Sequence, residues 1–188
     1  MDWNNDKYSI FVPVTDDYAG VDKVVYSPNN DISAAVNAKW NNEHQAYQFE
    51  TIDTEYNGNY YIWAYDLLGN VSNPTQVRVQ IDRKAPTITA FTYSSSETSV
   101  VEDFIKFLTF GTVSSKSIYV TVTGSDEDIT SGLKEITLYK GSDVFETKTT
   151  TGNTATFKLT EAEFKNGAEI SATVTDVCLL YTSDAADE

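Results

Sequence analysis

Apolar and polar residues alternate with a period of two along most of the chain, the mark of strands that bury one face. The clearest case is Tyr60 to Tyr65, where Tyr60, Ile62 and Ala64 point one way and Tyr61, Trp63 and Tyr65 the other. The pattern predicts strands near 8–15, 21–27, 46–52, 58–66 and 75–82, and again near 87–93, 117–123, 134–140, 144–150, 154–159 and 168–175. Pro13 lies inside the first of these, and a proline cannot donate to a ladder, so that strand is expected at an edge or a bulge. Gly69-Asn70 marks the turn before the strand at 75–82. Only Ser99 to Gly111 has helical spacing. Val100, Val101, Phe104, Ile105 and Leu108 share a face, Ser99 and Glu102 form a capping box, and Gly111 suits the end. This predicts a short amphipathic helix that closes one end of a sandwich.

The strand pattern occurs twice. SIFVPVTDDYAGVDKVVY from Ser9 matches SIYVTVTGSDEDITSGLKEITL from Ser117, with Ile10, Val12 and Val14 set against Ile118, Val120 and Val122. Phe49 falls opposite Phe157, Asn57-Gly58 opposite Asn166-Gly167, and Asp66 opposite Asp176. The offset, about 108 to 112 residues, is near the size of one immunoglobulin-like domain and too long for a solenoid repeat. The expected fold is all-β, two tandem immunoglobulin-like β-sandwiches, the second with the helical insertion. The seam IDRKAPTI is short and stiffened by Pro86, so neighbours are expected to stack end to end as a rod.

Comparing the copies also shows what each lacks. The second unit begins with APTITAFTY, whereas the first has about seven residues before its matching strand, so its first strand is expected to be truncated. After Asp66 the first unit supplies a last strand. After Val177 the second runs into CLLYTSDAADE, which continues no strand pattern and, codon by codon, resembles a translated transposon-based sequencing adapter. The expected domains are therefore 1–84, 85–177 without a last strand, and an adapter-derived tail over 178–188.

Composition sharpens this picture. Twelve Tyr, nine Phe and three Trp fit pleated, half-buried surfaces. The net charge of −15, or −12 for residues 1–177, argues against nucleic acid and anionic membranes, both of which need Lys and Arg. Residues 1–177 hold no cysteine, so no disulfide staples these domains. No apolar run is long enough to span a bilayer.

Candidate chemistry is sparse. His44 is the only histidine and sits in the polar run WNNEHQ, which reads as a surface loop. Neither a zinc spacing nor a phosphate loop is present. The expectation is no cofactor and no catalysis. Calcium is the alternative, through Asp16 and Asp17 in one unit and Asp126 and Asp128 in the other, since it needs six to eight oxygens from loops. The row Tyr61, Trp63 and Tyr65 offers an aromatic surface for a glycan or protein. Its counterparts Ser171, Thr173 and Thr175 do not.

The acidic loop before Gly20-Val21, the segment NGNYYIWAYDLLGN and the seam Ile-Asp-x-x-Ala-Pro-Thr-Ile together resemble the bacterial Ig-like repeats of Gram-positive surface proteins. The resemblance covers nearly all of residues 8–177. It implies a non-catalytic spacer or stalk in a large extracellular protein, cell-surface or secreted, such as an adhesin, with neighbouring repeats as partners. The alternatives are a carbohydrate- or protein-binding module built on the aromatic row and an accessory module of a secreted glycan-active enzyme. Within such a domain Tyr60 takes the tyrosine-corner position, where unit two has Ile170, while Asp66 and Asp176 organise the turn after their strand.

Overall fold

A computed structural model describes residues 3–94, 117–127, 130–160, 163 and 169–185. The chain divides into unit 1, Met1–Arg83, and unit 2, Lys84–Glu188. Both are built of antiparallel strands in paired sheets, and the fold is all-β. The helix expected over 99–111 lies outside the described residues.

Unit 1 contains β1 (Ser9–Val12), β2 (Val21–Ser27), β3 (Val36–Asn37), β4 (Lys39–Asn41), β5 (Ala46–Glu50), β6 (Tyr56–Asp66) and β7 (Thr75–Ile81). One sheet has the order β1-β5-β4 and the other β3-β2-β6-β7. The alternation of β6 sends Tyr60, Ile62 and Ala64 into a core with Ile10, Val24, Phe49, Val79 and Ile81. Aromatic rings fill its centre: Tyr26 stacks on Phe49 at 4.0 Å and Phe49 on Tyr60 at 5.8 Å between centroids. β1 stops at Val12, immediately before Pro13, three residues short of the expected span. Asn4 bridges in parallel to Ile81, so the chain reaches β1 from alongside β7.

Unit 2 contains β8 (Thr87–Ser94), β9 (Ser117–Ser125), β10 (Leu133–Lys140), β11 (Asp143–Thr149), β12 (Thr154–Thr160), β13 (Ile170–Asp176) and β14 (Tyr181–Ala185). Its sheets run β12-β9-β8 and β11-β10-β13-β14. Among the described residues, the fully buried part of the core is aliphatic apart from Phe157, which is sealed with Val120, Val122, Ile136, Leu138, Leu159 and Val174. Gly124 lets the two sheets approach, because a Cβ there would stand 2.8 Å from Val174 Cγ1.

One expectation is corrected. Unit 2 does not end without a closing strand: β14, formed from the tail residues, pairs with β13 from Thr175–Tyr181 to Ser171–Ala185. An edge strand is held by backbone hydrogen bonds, which do not require an apolar alternation in the added segment. The first of these pairs matches the isolated Tyr65–Val71 bridge of unit 1.

Candidate functional site

The same arrangement of turns is built at one end of each sandwich. In unit 1, Asp16 Oδ1 accepts from the amides of Tyr18, Ala19 and Gly20 at 3.0, 2.6 and 2.7 Å. Gly20 has φ +80°, and its carbonyl accepts from Leu67 N, so the loop before β2 is tied to the turn after β6. In that turn Asp66 Oδ1 accepts from Leu68 N and Asn70 N, and its Oδ2 accepts from the Asn70 side-chain amide at 2.7 Å. These bonds stabilise the charged form, and both carboxyls titrate below the usual carboxylate range. For Asp16 the Gly20 amide is the largest cause, with the nearby Asp66 charge opposing it. For Asp66 the Asn70 side chain is the largest cause.

Unit 2 repeats the plan on different residues. Asp126 Oδ2 accepts from Gly132 N at 2.9 Å, Gly132 has φ +83°, and its carbonyl accepts from Val177 N. Asp176 Oδ1 accepts from Leu180 N at 2.8 Å, and Asp176 N donates to Leu180 O as Asp66 N donates to Asn70 O. Both turns place their fourth residue in the left-handed region, Gly69 at φ +87° and Leu179 at φ +67°.

Of the four candidate calcium ligands, Asp16 and Asp126 accept hydrogen bonds from their own loops. Asp17 is exposed beside Asp16, and Asp128 lies outside the described residues. No described residue brings Asp16 and Asp17 together with a third ligand group.

The aromatic row differs from expectation. Tyr61, Trp63 and Tyr65 do share a face of β6, but Trp63 is 5% exposed, and Val25, its cross-strand partner, is also buried. Tyr61 stacks on Trp63 at 6.3 Å, and the Lys23 ammonium lies 4.6 Å from the Tyr65 ring. The row is packed among its neighbours and is not an open platform. Strand alternation reports which face a side chain takes, not what covers that face.

Tyr60, on the opposite face, is 3% exposed, and its hydroxyl accepts from Ile52 N at 2.9 Å. Burial raises its pKa. Pro86 is buried one residue before β8. His44 is exposed on the turn between β4 and β5, its ring 4.0 Å from that of Phe11.

Sequence reasoning did not anticipate a groove of about 700 Å³ in unit 1. It runs between the segment from Ile10 to Asp16 on one side and Ala64, Val71 and Val77 on the other. The only advance signal was the short stretch before Ser9 in the repeat comparison.

No family model and no curated protein matches the chain. Among solved structures, it is similar to the fibronectin(III)-like modules of Clostridium thermocellum CbhA, with 17% identity over 98% of this chain and 85% of that one and a TM-score of 0.39. It is also similar to the D00-D0 domain of intimin, with 13% identity over 100% and 96% and a TM-score of 0.45. The fold assignment rests on the strand pairing itself.

Among the described residues, no helix is long and apolar enough to cross a membrane.

Proposed function

We propose that the chain is a non-catalytic structural module of a larger extracellular bacterial protein, on the cell surface or secreted, serving as a spacer in the manner of an adhesin stalk. The observation that supports this most is the repeated turn arrangement. Asp16 with Gly20 in unit 1, and Asp126 with Gly132 in unit 2, direct carboxylate oxygens at amides of their own loops, and each glycine carbonyl accepts from the residue after Asp66 or Asp176. A carboxylate used this way fixes the shape of a loop. Fixing the same shape in successive domains suits a building block used in series, with neighbouring Ig-like repeats as its partners. The likeness of the sequence to Gram-positive Ig-like repeats supports the same reading.

Two experiments test it. Stretching single molecules held at their termini is expected to give two unfolding steps, one per unit. Calorimetric titration with calcium and a glycan array are expected to show no saturable binding. A saturable isotherm that Asp16→Asn or Trp63→Ala removes while the domain stays folded would replace the spacer reading with a binding one. We also read Cys178–Glu188 as adapter-derived. Sequencing the source DNA across the Val177 codon is expected to give a different continuation; recovery of the codons for CLLYTSDAADE in that DNA would refute the reading.

A further inference from the structure

The groove of unit 1 corresponds to a filled position in unit 2. There β9 lies between β12 and β8, and β8 pairs with it along Ala90–Thr123, Phe91–Val122, Thr92–Thr121, Tyr93–Val120 and Ser94–Tyr119. Ile88, Phe91 and Tyr93 of β8 pack on the core. Beneath them Val120, Val122 and Val174 are 0% exposed. In unit 1, β1 pairs with β5, and no described strand lies on its other side. The counterparts Val12, Val14 and Ala64 are only half-buried and line the groove. The difference in burial thus falls on the positions that β8 covers in the other copy.

The backbone of β1 is turned to receive a strand. Tyr8 N donates to Thr51 Oγ1, and Thr51 N donates to Tyr8 O, both at 3.0 Å, so Tyr8 faces β5. By the alternation of an antiparallel ladder, Ile10 and Val12 also face β5, while Ser9, Phe11 and Pro13 face the open side. Pro13 has no hydrogen to donate there, as an edge position tolerates, and Phe11 keeps both its groups. β7 borders the groove through Thr75, Gln76 and Val77, and further along it Asn4 N donates to Gln80 O while Asn4 O accepts from Asp82 N. The chain entering unit 1 therefore already runs parallel to β7. A strand upstream of Asn4 that held this line would pass through the groove, antiparallel to β1.

We propose that this groove is a strand-acceptor site. Its occupant is an extended segment with the apolar alternation of β8 that leads into Trp3 and lies between β1 and β7. In the register of unit 2, the residue equivalent to Phe91 would sit opposite Val14 and that equivalent to Tyr93 opposite Val12.

The test extends the full chain at its N-terminus with the sequence of Pro86 to Ser94, PTITAFTYS, through a short Gly-Ser linker. A matched extension carries the same residues in an order that breaks the alternation. Amide hydrogen exchange is read for both and for the unextended chain. Exchange at Phe11 and Thr15 is expected to slow about tenfold or more with the alternating extension alone. Unchanged exchange at both residues, equal slowing by the scrambled extension, or a change located in β9 instead of β1 would each overturn the proposal.

Discussion

The two units share a plan and differ at one edge. In unit 2, three strands make the smaller sheet with β9 in the middle, and its valines are sealed. In unit 1, β1 stands at the edge, and the equivalent valines are partly open. The cores differ in kind as well, with stacked rings of Tyr26, Phe49 and Tyr60 in one and branched aliphatics around Phe157 in the other. The same alternation therefore yields full burial only where a covering strand is present.

All three tryptophans, Trp3, Trp40 and Trp63, belong to unit 1, so urea unfolding followed by fluorescence reports on that unit and circular dichroism on both. The largest expected effect is Phe157→Ala, which removes the fully buried ring at the centre of unit 2. Stability of that unit should fall by about 3–5 kcal/mol, seen by dichroism and not by fluorescence. The paired substitutions Val122→Ala and Val14→Ala sharpen the comparison. The sealed valine should cost about 2 kcal/mol and its half-open counterpart less than about 1 kcal/mol; equal losses would mean that the groove does not weaken burial. Two effects of opposite sign to each other are expected at the turns. Leu179 adopts a conformation that glycine takes without a Cβ clash, so Leu179→Gly should stabilise unit 2 by about 1 kcal/mol, and Gly69→Leu should destabilise unit 1 by a similar amount.

Acid should act on unit 1 through Asp16 and Asp66. Their pKa values are lower in the folded chain than the unfolded value of about 3.9, so their contribution is full above that value and is lost as pH falls through the folded ones. Fluorescence-detected stability should drop below about pH 4, and Asp66→Asn should flatten that drop.

Much of the fold was legible. The alternation located β2 over residues 21–27 as observed and placed β6 and β7 to within two residues. Pro13 pointed to an edge strand, which β1 is, but not to the strand's end at Val12. The short β3 and β4 were missed because two or three residues carry no period, and Val36 and Trp40 are exposed besides. β14 was missed for a different reason: its pairing is made by backbone groups, which a pattern of side chains does not report. At the sites, the matched aspartates pointed to turns because an Asp side chain bonds backbone amides a few residues away. The burial of Trp63 and the groove beside Val14 are tertiary properties, set by residues far away in sequence.

The turns that end both sandwiches have a consequence for how such chains diversify. Each aspartate satisfies amides a few residues away, and each glycine carbonyl is met by the opposing turn of the same domain. A gene duplication therefore copies the whole joint at once and needs no matching change elsewhere. Between the joints the copies differ, with Tyr60 against Ile170 and Trp63 against Thr173.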